Sequence, residues 1–122
     1  MAKLLLFNIT NSGKRNQLQV LSLRLNFSMI DVPADRQHCR IRDLLSGLTS
    51  PVSDPAAPFG DEMLVMNGFE SGDLNFFLNE LRRTGYPVRL KAVVTETNQF
   101  WSAHQLHDTL VAESLTMNQR RQ

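Results

Sequence analysis

Three histidines, one cysteine and a scatter of serines, asparagines and carboxylates are the side chains here with reactive or metal-binding chemistry to offer. His104 and His107 are spaced i, i+3, about 60° apart around a helix, so both could reach one metal ion. His38 and Cys39 would have to complete the set. Being adjacent they point about 100° apart on a helix, His38 shares the apolar side of Ile41 and Leu45, and no CxxC or HExxH motif accompanies them. The pattern predicts no metal centre. Cys39, Ser12 or Ser71 paired with a histidine could in principle make a nucleophile and base, but neither serine sits in a GxSxG elbow. Cys39 reads as a buried, inert thiol. Asp61-Glu62 falls beside a proline-rich stretch, where a solvated strand entrance accounts for it, and no general acid and base pair stands out.

Two loops match each other and carry the other candidate site. Asn8-Ile9-Thr10-Asn11-Ser12-Gly13 and Asn67-Gly68-Phe69-Glu70-Ser71-Gly72 each follow an apolar run and open a helical pattern. Free amide groups at such helix starts can hold an anion, and the first loop continues as Lys14-Arg15. Asn8, Ser12, Asn67 and Ser71 are thus candidate ligand-binding residues. The competing reading is that Ser and Asn before a helix are N-caps and Gly eases the turn. The chain has neither GxGxxG nor GxxxxGK[ST], so no cofactor is expected.

The elements that must position these residues follow from hydrophobic spacing. Leu4 to Phe7 and Met63 to Met66 are unbroken apolar runs, the mark of strands buried on both faces. Tyr86, Val88, Leu90, Ala92 and Val94 alternate with more polar residues, as a strand with one wet face should, and Phe27 to Val32 is a weaker strand. Helices are predicted over Lys14–Leu25, Ala34–Ser46, Asp73–Arg83 and from Trp101 to about Leu115. Residues 47–60 contain Pro51, Pro55 and Pro58 and read as a connector. Each half, 1–46 and 61–116, then reads βαβα within a single α/β domain spanning 1–122. A shift of 59 positions superposes Asn8 on Asn67, Ser12 on Ser71, Gly13 on Gly72 and Leu5 on Leu64, which fits an internal duplication and fits two unrelated strand–loop–helix units as well.

Buried strands belong at the centre of a sheet and half-wet ones at its edges, which gives the order 2-1-3-4 in a four-stranded, mainly parallel sheet. Helices then cover both faces, the first and fourth on one and the second and third on the other, with a two-layer ferredoxin-like α+β arrangement as the alternative. In the first arrangement the two matching loops line one crevice, at the carboxyl ends of strands 1 and 3.

Composition bounds the rest. At 122 residues, 42% hydrophobic and 20% charged, the chain can bury one core. Thirteen Lys and Arg against twelve Asp and Glu give a charge of +1, which does not favour nucleic acid. Arg120-Arg121, the longest basic cluster, reads as a solvated tail. The amino terminus lacks a signal-peptide core, no apolar window approaches a membrane span, and a lone cysteine forms no internal disulfide, so a cytoplasmic location is expected. Val20 and Leu23 lie off the Leu18/Leu21/Leu25 stripe, and Phe76 points about 150° from the stripe of its own helix. These three need burial in a second core layer or at an interface.

The segment Leu90-Lys91-Ala92-Val93-Val94-Thr95-Glu96-Thr97-Asn98, followed by Trp101 and Leu106, resembles the C-terminal signature of a small bacterial family, domain of unknown function 3783. The resemblance extends from about Asp61 to Glu113 and is weaker before the connector. It implies a cytoplasmic α/β protein with no assigned activity, and it singles out Lys91, Thr95, Asn98 and Trp101 for testing. Asn98 as a cap, Thr95 and Thr97 as a turn and Trp101 packed on the sheet edge explain the same positions structurally. Taken together, the residues favour a noncatalytic binding or regulatory module, homo-oligomeric or with a protein partner through Val20, Leu23 and Phe76. The alternative is a small-ligand-binding or enzymatic domain using the crevice.

Overall fold

In the computed structural model the described residues are 2–51 and 57–120, with side chains followed to Leu115. Pro55 of the connector and Arg121 of the basic tail lie outside them.

The two unbroken apolar runs form β1 (Ala2–Phe7) and β3 (Met63–Asn67), and they are the central strands. Leu4 to Phe7 and Met63 to Met66 are all buried, because each strand has helices on both of its faces. The outer strands are β2 (Phe27–Val32), parallel to β1, and β4 (Leu90–Val93), parallel to β3, so the order is β2-β1-β3-β4 as expected.

The central pair departs from expectation. β1 and β3 are antiparallel, with Lys3 opposite Asn67, Leu5 opposite Val65 and Phe7 opposite Met63. That reversal also corrects the placement of the helices. A right-handed crossover from each half now puts α1 (Ser12–Leu25) and α3 (Ser71–Arg83) on the same face. There Leu18, Leu21, Phe77 and Leu81 pack on Leu4, Leu6, Leu64 and Met66. The other face carries α2 (Ile41–Leu45) and α4 (Ala103–Arg120), with Ile41, Leu44, Ala103 and Leu106 on Leu5, Phe7, Met63 and Val65. Three layers result, not the two of a ferredoxin-like sheet.

The halves are therefore related by an approximate two-fold axis normal to the sheet, between β1 and β3. Ser12 and Ser71 each open a helix, 59 positions apart as in the sequence comparison, and Leu18 and Phe77 fill equivalent core positions. The strands do not follow that offset. Leu4 and Leu6 share a face with Leu64 and Met66, sixty positions on, so pairing Leu5 with Leu64 would put equivalent residues on opposite faces. The loops absorb the difference: Asn8 and Gly68 both have positive φ, at 60° and 79°, with three residues before α1 and two before α3.

Three further boundaries differ from the periodicity. The helix predicted over Ala34–Ser46 is a 3-10 turn, Ala34–Arg36, and the short α2. Between them the carbonyls of Gln37 and Cys39 accept from the amides of His104 and Ala103, at 3.1 Å each, so they cap α4 and are lost to a continuous helix. The strand predicted from Tyr86 is confined to Leu90–Val93, because a bend at Arg89 puts Val88 in one core layer and Leu90 in the other. Lastly, α4 begins two residues after Trp101, following a 3-10 turn over Asn98–Phe100.

Candidate functional site

The reversal of β3 decides the fate of the predicted crevice. Carboxyl ends of antiparallel neighbours lie at opposite ends of a sheet, so Asn8 and Ser12 stand at one end and Asn67 and Ser71 at the other, with Asn8 and Asn67 about 17 Å apart along the strands. The four residues are not brought together. At the first loop Asn8 and Asn11 are committed to the fold. Asn11 accepts from the Lys14 amide at 2.9 Å as the N-cap, and the Asn8 side chain donates to the carbonyls of Phe59 and Asp61 at 2.8 and 2.9 Å.

The two cations that made this loop attractive for an anion are engaged as well. Lys14 is buried and donates to Glu62 at 2.5 Å, tying the start of α1 to the approach of β3. Arg15 donates to both carboxylate oxygens of Asp31, at 2.9 and 2.8 Å, and to the carbonyl of Ile9. The hydrogen bonds from Arg15, and then its charge, hold the Asp31 carboxyl below its usual range, and Asp31 in turn raises Arg15.

A different cluster assembles at this end of the sheet, on the α2/α4 face. Its centre is Phe59, the aromatic residue at the far end of the connector. His107 of α4 stacks flat on the Phe59 ring, with centroids 4.0 Å apart and planes within 8°, while His104 meets it edge-on at 5.7 Å and Phe7 lies at 5.8 Å. Gln37, wholly buried, accepts from the Phe59 amide at 2.9 Å and donates to its carbonyl at 3.2 Å. His107 sits between two carboxylates, with Nε2 2.8 Å from Asp61 Oδ2 and Nδ1 3.0 Å from Asp108 Oδ1. Helical spacing brings His104 and His107 onto one aromatic ring.

At the near end of the connector a second polar set closes. Ser50 donates to Asp43 at 2.6 Å and accepts from the Arg40 amide, and His38 lies 3.1 Å from the Ser50 carbonyl. Cys39 is fully buried beside it and accepts from the Ser50 amide. His38 and Cys39 thus belong to one end of the connector and His104 and His107 to the other. Among the described residues no group of three or more His, Cys, Asp or Glu side chains could hold a metal ion.

Of the positions singled out by the family resemblance, Thr95, Asn98 and Trp101 lie in the turn between β4 and α4, and Lys91 lies on β4 itself. Thr95 and Asn98 cap each other, Asn98 accepting from the Thr95 amide at 2.8 Å and Thr95 from the Asn98 amide at 3.0 Å, while Asn98 also donates to Val93. Lys91 donates to the Val88 carbonyl, and the Trp101 carbonyl accepts from Ile41. Residues 62–117 match the model of the family described as Domain of unknown function (DUF3783). The DUF3783 match takes in β3, α3, β4 and most of α4, and with them Lys91, Thr95, Asn98 and Trp101. The first half and Phe59 lie outside it, whereas His107 lies within. No curated protein and no solved structure matches the chain.

The three predicted interface residues divide. Val20 is 56% and Leu23 77% exposed on the outer side of α1. Phe76 is half-buried, packed on the α1/α3 core and capped by the Arg24 guanidinium 4.8 Å above its ring. Beside Leu23 an open groove of about 440 Å³ runs between α1 and the edge strand β2, lined by Leu23, Phe27 and Met29 with Gln19, Ser22 and Asn26. It lies on the face opposite His107. No helix among the described residues is long and apolar enough to cross a membrane.

Proposed function

We propose that the chain is a noncatalytic interaction module that binds a second copy of itself through the outer face of α1 and the adjoining edge of β2. The observation that carries this reading is the exposed Val20–Leu23 pair beside a groove whose other wall is an edge strand. An edge strand offers backbone groups for pairing, and apolar side chains one helical turn apart supply burial, the two ingredients of a sheet-edge contact. Two of the three cations of α1 are neutralised within the chain, Lys14 by Glu62 and Arg15 by Asp31, which limits repulsion between two copies meeting here. At the first loop, Asn8 and Asn11 are occupied in docking and capping.

Sedimentation equilibrium of the full chain, with and without Val20→Asp and Leu23→Asp together, tests it. A dimer with a dissociation constant of about 10 µM is well populated at about 100 µM. The expected result is a concentration-dependent dimer that the double substitution abolishes without changing the circular dichroism. A parent chain that stays monomeric at that concentration, or a dimer that survives both substitutions, overturns the proposal.

A further inference from the structure

His107 has a carboxylate on each side of its ring. A neutral imidazole donates through one nitrogen and presents a lone pair at the other, and an ionised carboxylate only accepts. With both nitrogens within 3.0 Å of a carboxylate oxygen, the arrangement is fully hydrogen-bonded only when the ring carries two protons. One of those carboxylates, Asp61, belongs to the segment that brings the chain into β3, and the ring itself lies flat on Phe59 of that segment. We propose that His107 is a proton-dependent clasp, which in its doubly protonated form holds Phe59 to Asp61 against α4 and loosens that segment when one proton is lost.

The surroundings make the ring the group that decides. The charged and titratable side chains about it are Asp61 from the approach to β3, Asp108 and His104 from α4, and, one step away, the Lys14–Glu62 pair. The end of β1 and the residue after it contribute Phe7 and Asn8, and the turn before α2 contributes Gln37, none of which ionises. Loss of the second proton leaves a lone pair facing a carboxylate at Asp61 or at Asp108, and one of the two charge-assisted bonds to the ring is lost. The contacts that remain on the segment are neutral: Asn8 to the carbonyls of Phe59 and Asp61, and Gln37 to the backbone of Phe59.

The full-length protein, labelled with nitrogen-15, allows ring and segment to be followed in one sample from about pH 5 to pH 9, a span wide enough for an imidazole to change state. Ring nitrogen shifts count the protons on His107. Hydrogen exchange, referred to the intrinsic rate at each pH, gives the protection of the Phe59 amide. Protection of Phe59 is expected to fall about ten- to a hundredfold as the ring loses its second proton, the scale of one charge-assisted hydrogen bond. The Ile41 amide, bonded to the Trp101 carbonyl, stays protected. Asp61→Asn, whose neutral amide can turn to suit either form of the ring, removes the pH dependence. A ring with a single proton throughout, constant Phe59 protection across its titration, or equal losses at Phe59 and Ile41 would each overturn the clasp.

Discussion

Replacing Lys3 and Asn67 together by cysteine tests the reversal of β3 on which the separation of the two loops depends. The two residues are directly opposite in the antiparallel register and are half-buried at the end of the central pair. Paired residues in such a ladder have Cα atoms about 4.5–5.5 Å apart, within the reach of a disulfide. Were the strands parallel, Lys3 and Asn67 would stand a strand length apart, about 13 Å, and no bridge would form without breaking the sheet. A bridge between positions 3 and 67 closes a loop of about 65 residues, for which chain entropy gives roughly 4 kcal/mol of stabilisation. Against this stands the bond from Lys3 Nζ to the Leu45 carbonyl, 2.9 Å, whose loss costs about 1 kcal/mol. A net gain of about 3 kcal/mol corresponds to roughly 12 °C in Tm for a chain of this size. Thermal unfolding of oxidised and reduced samples reads the difference, and a non-reducing gel shows whether the link is within one chain. Cys39, fully buried, stays outside the exchange. Failure to form an intrachain bridge under mild oxidation, or a bridge that lowers Tm, would refute the antiparallel register and return the two loops to one end of the sheet.

The equivalent glycines of the two helices are expected to respond with opposite sign. A Cβ at Gly13 would run into the hydroxyl and ring of Tyr86, so Gly13→Ala should cost about 1–2 kcal/mol despite its gain in helix propensity, while Gly72→Ala, with nothing within 4 Å, should gain up to about 1 kcal/mol; urea midpoints of both variants decide it. The Asp31–Arg15 pair predicts the direction of acid sensitivity. Because the folded carboxyl is held below its unfolded value, Asp31 adds stability above that value, near 3.8, and the contribution disappears as pH falls through the lower folded one. The difference in urea midpoint between the parent and Asp31→Asn should therefore narrow from pH 5 towards pH 2, and a gap that stays constant would show that the pair does not couple folding to protons.

Sheet order was legible because burial is written into composition. Leu4 to Phe7 and Met63 to Met66 have no polar residue to turn outward, which forces both strands to the centre, and the stripes through Leu18 and Leu21 and through Phe77 and Leu81 place their helices on it. The relative direction of the central strands was not legible, for the same reason. A strand apolar on both faces packs equally well either way up. Its direction depends on how the chain enters it, and the sequence before it carries Pro51, Pro55 and Pro58, which leave no periodicity to read. The offset of 59 shows a related limit. Caps and glycines align the helices correctly, but the one extra residue before α1 moves the strand equivalence by one position, and with a period of two that exchanges the faces.

The cluster around Phe59 was hidden by distance along the chain. Periodicity pairs His107 with His104 on its own helix, whereas its partners Phe59 and Asp61 lie 48 and 46 positions earlier, at the end of a stretch read as a connector and just after it. One signal was available: a large aromatic in an otherwise small and proline-rich segment has to bury its ring somewhere, and here it finds Gln37, His104 and His107. A connector docked by Ser50 at its start and Phe59 at its end is part of the structure that fixes β3 beside β1. The same docking gives the Asn8 side chain its acceptors and Lys14 its acid, so these two residues of the first loop and helix start tie the two halves together.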